Sequence, residues 1–126
     1  MPPIVRAAVL LMVAALTFYS VGVWGAFLAL RLKPWHVALF WMGLLADSGG
    51  TELMRRLAGG LHWNLHTATG AAALGLMFTH ALWASAVLRR NDEPRLRTFP
   101  RVSIVVWAIW LIPFVTGLII GRRRGL

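Results

Sequence analysis

Residues 57–88 read LAGGLHWNLHTATGAAALGLMFTHALWASAVL, 32 positions without a formal charge. A hydrocarbon core about 30 Å thick is crossed by a helix of roughly 20 apolar residues. Within lipid a helix satisfies its own backbone hydrogen bonds, so this stretch is predicted to span a membrane as an α-helix. Three more segments have spanning length. Ala7–Leu30 runs 24 residues uncharged, Val102–Gly121 runs 20, and Trp35–Met54 is broken only by Asp47 and Glu52. The expected fold is all-α: one transmembrane domain over residues 1–126, with spans at about 4–32, 35–57, 61–88 and 102–121. Short connections favour an antiparallel up-down four-helix bundle.

Composition narrows the functions open to such a chain. Hydrophobic residues make up 59% of it and its mean hydropathy is +0.70, outside the range of soluble domains. The spans leave no length for a separate catalytic module. The net charge of +9 does not point to nucleic acid, because the basic residues gather at segment ends. Arg31 and Lys33, Arg55 and Arg56, Arg89 to Arg101, and Arg122 to Arg124 stand where cations stop a span and meet lipid phosphates. Membrane lipid is therefore the expected partner of most of them. Six basic residues fall on one membrane face and seven on the other, so charge does not set the orientation. The apolar run after Met1–Arg6 is longer than the core of a signal peptide and is read as the first span. Cysteine is absent, which excludes disulfides, iron–sulfur clusters, thiolate zinc sites and covalent haem attachment. No nucleophile–base–acid set or metalloprotease motif occurs, which favours a binding or electron-transfer protein over a dedicated enzyme.

The polar side chains inside the spans are the candidates for function. Helical geometry advances about 100° and 1.5 Å per residue. On the third span His62, His66, Gly70, Ala73, Met77, His80 and Ala84 then share one face. His66 and His80 are 14 residues apart, about 21 Å along the axis, too far to bind one iron. The separation suits two irons stacked across a membrane, and the His-x13-His spacing is similar to that of dihaem b-type cytochromes. Gly70 and Ala73 leave a flat porphyrin room to approach the backbone. On the second span His36, Phe40, Gly43, Asp47, Gly50 and Met54 form a matching face. Lipid penalises an exposed carboxylate by several kcal/mol, so this face is expected to point inward. In the first span Ala15, Tyr19, Gly22, Ala26 and Ala29 form a small-residue stripe suited to close helix contact.

Depth arithmetic sets the expected pairings. Met54 lies level with His66, which leaves Met54–His66 ligation or His66 with water. His36 sits roughly 9–12 Å from the depth of His80 by helical rise. Asp47 lies nearer to His80 and is expected to accept a hydrogen bond from its other ring nitrogen, to serve as a protonated interhelical hydrogen-bond partner, or to relay protons. Glu52 is read as an interfacial ion pair with Arg55 and Arg56, and those two arginines as neutralising propionates near His66. Trp83, Trp107 and Trp110 are candidates to flank a flat cofactor. The plainer readings are packing for Met54 and Met77, an interfacial ring for His36 beside Trp35, and a solvated ring for His62. Arg89 to Arg95, polar and broken by Pro94, is expected to be a solvent loop, and Pro113 a kink in the fourth span.

Three stretches resemble the HsmA-like haem-sequestering small membrane proteins. They are Trp35-His36 with Phe40–Leu44, Asp47, Gly50-Thr51 and Met54; Asn64–Gly70 with Leu76–Ala84; and Ser103–Phe114. The likeness runs nearly end to end in the same order. It implies a prokaryotic cytoplasmic-membrane protein that binds haem, associated with haem tolerance and oxidative-stress defence. His36, His66 and His80 match family positions, and His62 does not. Where the family carries Phe-His-x-x-Ser before the fourth span, this chain has Phe99-Pro100-Arg101-Val102-Ser103, so Pro100 stands in place of a histidine. The leading expectation is a b-type protein holding one or two non-covalent haems, sequestering haem or passing single electrons. His66, His80 and His36 are the expected iron ligands. The alternatives are a quinone- or superoxide-linked membrane oxidoreductase and a structural subunit of a larger complex. A redox partner, a quinone or a second copy of the chain completes the expected partners.

Overall fold

The computed structural model describes residues 2–57, 59–60 and 65–123, with main chain alone at 65, 66 and 120–123. Four helices run in order: α1 (Pro3–Ala29), α2 (Pro34–Leu57), α3 (Leu65–Arg90) and α4 (Glu93–Arg123). Each packs beside its neighbours in sequence, and α4 closes the ring against α1. Side-chain pairs run in opposite directions along adjacent helices: Gly50 meets Met12 while Gly22 meets Phe40, and Trp110 meets Tyr19 while Trp107 meets Ser20. The result is an antiparallel up-down bundle. Three helical stretches, Pro3–Ala29, Thr67–Arg90 and Glu93–Ile119, are long and apolar enough to cross a membrane. α2 is long enough but not apolar enough, because it carries Asp47, Glu52, Arg55 and Arg56.

The inward faces follow the helical period. Ala15, Tyr19, Gly22 and Ala26 of α1 are buried, as are His36, Phe40, Gly43, Asp47 and Gly50 of α2. From α3 come Ala73, Met77, His80 and Ala84. α1 and α2 approach closely because glycine lets a ring lie on the backbone: a Cβ on Gly43 would sit 2.5 Å from the Tyr19 ring.

The connection between α3 and α4 is much tighter than expected. The Arg89–Arg95 segment is not a solvent loop; α3 continues to Arg90 and α4 begins at Glu93, about nine residues before Val102. Asn91 turns the chain in the left-handed region (φ 51), which asparagine tolerates better than most residues. Pro94 falls in the first turn of α4, where its missing N–H has no intrahelical acceptor to lose. Pro100 lies deeper in the same helix and lacks the N–H that would pair with the carbonyl of Leu96. The backbone N–H of Leu32, in the α1–α2 turn, donates to that carbonyl at 2.9 Å. Arg31 also pairs with Glu93, so the two turns at this end are joined by main chain and side chain together.

Candidate functional site

Asp47 lies at the centre of the bundle, 3% exposed. Its Oδ2 accepts from the Tyr19 hydroxyl at 3.1 Å and from Trp110 Nε1–H at 3.0 Å. The rings of Tyr19 and Trp110 meet edge-to-face at 4.9 Å. One carboxyl group thus ties α1, α2 and α4 together. The expected bond from Asp47 to His80 is not made. The register places Phe40 against His80, at 4.6 Å between ring centroids, and Asp47 lies about 10.5 Å further along α2 by helical rise.

His80 is 2% exposed. Its Nε2 is 2.6 Å from the Ser103 hydroxyl of α4, and its ring stacks on Phe99 at 5.2 Å. Its Nδ1 is buried without a hydrogen-bond partner. Ser103→Ala would leave both ring nitrogens unpaired. We expect it to cost about 1–3 kcal/mol in equilibrium unfolding in detergent, whereas unchanged stability would show that the bond contributes nothing.

His36 occupies a different kind of place from the one expected of an iron ligand. Its Nδ1 accepts the backbone N–H of Lys33 at 2.9 Å, the reciprocal half of a capping box at the start of α2. The proton of the neutral ring then belongs on Nε2, so neither nitrogen offers a lone pair to a metal. That Nε2 is buried and unpartnered beside Gly25, where a Cβ would stand 3.3 Å from it.

The other expected site residues divide by position. Met54 stands on the exposed side of the last turn of α2, 44% accessible, rather than facing the interior. Arg55 and Arg56 are exposed and both engage Glu52, at 2.7 and 3.0 Å, which is the ion pair expected of that glutamate. Their end of the bundle is opposite to that of His80. His66 begins α3, but its side chain, like all of His62, lies outside the described residues. Gly70, one turn further along α3, has open space where a Cβ would point. Trp107 donates to Ser20 at 3.0 Å, and Trp83 meets Phe99 edge-on at 5.1 Å.

Tyr19, Trp110 and Ser103 carry the hydrogen bonds of this interior, and none was assigned such a role from sequence. A signal was present for the first two: a lone aspartate inside a span needs donors at its own depth.

Comparison with protein-family models, curated proteins and solved structures returned no match. The chemistry must therefore be read from the residues. Among the described residues no group of three or more His, Asp or Glu could hold a bare metal ion. Haem brings four nitrogens of its own and asks the protein for one or two axial side chains. His80 fits that need: it is buried among aromatic rings and has an unpaired ring nitrogen. His36, with its lone pair spent on the cap, does not fit.

Proposed function

We propose that the chain is a four-span protein of a prokaryotic cytoplasmic membrane that binds b-type haem non-covalently, sequestering it or passing single electrons. The family resemblance, with its association to haem tolerance and oxidative-stress defence, supports the same reading. The observation that carries it is His80, a buried imidazole with one ring nitrogen unpaired in an apolar interior. Such a group costs free energy unless something else occupies it. Haem, when bound, supplies a one-electron iron couple. His80 would hold it through the ring nitrogen left without a partner, keeping its bond to Ser103, and His66, two turns before Ala73 on the same helix, is the second candidate.

α2 belongs in the membrane in this reading. The residues that lower its hydropathy are either turned inward, as His36 and Asp47 are, or gathered in its last turns as Glu52, Arg55 and Arg56. Of its outward residues, Trp35, Ala38, Met42 and Leu45 suit lipid, and the polar ones beyond them, Ser48 and Thr51, are small and uncharged.

Protein purified from haem-replete cells is expected to show a Soret band that shifts on reduction. His80→Ala should abolish most of it, and His36→Ala should leave the spectrum unchanged while weakening the fold by about 1 kcal/mol through the lost cap. Wild-type protein without a Soret band, or a His80→Ala variant with the full spectrum, overturns the proposal.

A further inference from the structure

A groove of about 310 Å³ opens between the C-terminal half of α3 and the first turns of α4. Its walls are Trp83, Val87, Phe99 and Val102, and Arg95 and Thr98 stand on its α4 side. Phe99 both lines the groove and stacks on His80, so a single ring separates the groove from the buried imidazole. Along α3, Trp83 and Val87 lie about 4.5 and 10.5 Å beyond His80 by helical rise. The groove therefore starts near the depth of His80 and runs towards the end of the bundle that carries the α3–α4 turn. Its volume is at the low end for a ligand pocket, enough for one edge of a large flat ring rather than the whole of it.

The one cation on its lining has a weak hold on its own partner. Arg95 Nε is 3.5 Å from Asp92, both side chains are exposed, and such a pair is worth little. A ligand carboxylate would compete for that guanidinium with better geometry. By contrast Arg55 and Arg56, the arginines expected from sequence to meet propionates, share Glu52 at closer range and lie at the other end of the bundle.

We infer that this groove takes the carboxylate-bearing edge of a tetrapyrrole ring, with Arg95 holding the carboxylates and Trp83, Phe99 and Val102 covering the ring. The inference deepens the haem reading and rests on it for the identity of the ligand class. It makes no use of iron ligation, so the two can fail separately.

The test titrates purified detergent-solubilised protein with metal-free protoporphyrin IX, followed by porphyrin fluorescence, and repeats it with the dimethyl ester. Wild-type protein is expected to prefer the free acid. Arg95→Gln should weaken free-acid binding about tenfold and leave ester binding unchanged. Thr98→Trp, at an exposed position, should fill the groove and weaken both ligands by a similar factor. Arg97→Gln and Arg55→Gln, outside the groove, should bind as wild type. No porphyrin binding by wild type, or free-acid affinity unchanged in Arg95→Gln or Thr98→Trp, overturns the inference. A normal metal-free titration alongside a missing Soret band would sink the iron-ligand reading alone.

Discussion

Asp47→Leu is expected to lower stability by about 3 kcal/mol, measured as equilibrium unfolding in mixed detergent micelles. The substitution leaves the Tyr19 hydroxyl and the Trp110 indole N–H buried with no acceptor, and each unsatisfied donor costs about 1–3 kcal/mol. Intramembrane hydrogen bonds average nearer 0.6 kcal/mol when removed cleanly, so the loss here comes mainly from the orphaned donors. Asp47→Asn keeps a carbonyl acceptor and should lose less than half as much. A double variant, Asp47→Leu with Tyr19→Phe, should be more stable than the sum of the two single effects, because it removes one orphan. Additive effects, or an Asp47→Leu protein as stable as wild type, would show that the central carboxyl group does not hold the helices together.

The second large effect is expected at Gly43. A Cβ there would stand 2.5 and 2.6 Å from two atoms of the Tyr19 ring, and that ring is held by Asp47 and by the edge of Trp110. Gly43→Val must push α1 away from α2 and stretch the Tyr19–Asp47 bond. Overpacking of this kind costs about 1–3 kcal/mol before any hydrogen bond is lost, and the two together should approach the Asp47→Leu effect. Gly50→Ala is the informative contrast. Its nearest neighbour, at 2.6 Å, is the sulfur of Met12, the mobile part of a flexible side chain. We expect that variant to lose under about 1 kcal/mol by the same unfolding measurement. Equal losses at Gly43 and Gly50 would mean that the helix pair yields as a whole and that the Tyr19 ring is not its fixed point.

Much of the fold was legible because helical periodicity needs nothing beyond local geometry. The stripes from Ala15 to Ala29 and from His36 to Met54 turned inward as the 3.6-residue period required except at their far ends, where Ala29 is half-buried and Met54 exposed. Register was not legible, because it depends on where each turn closes. The polar run with Pro94 resembled a loop, yet proline is harmless in a first helical turn, and α4 started about nine residues early. The α2–α3 register likewise placed Phe40, not Asp47, opposite His80. Periodicity put His36 on the correct face, but not its bond to the main chain at the start of its own helix. That bond depends on Lys33 being the residue before the first turn, a boundary that sequence locates only to within a few positions.

The link from Leu32 to the carbonyl freed by Pro100 bears on the order in which the protein is built. Chains are made from the amino end, so the first hairpin emerges with one amide still waiting for its acceptor. That acceptor arrives only with α4, some sixty residues later in synthesis. The proline that interrupts α4 internally thereby makes α4, made after α1 and α2, the latch that fastens the turn between them.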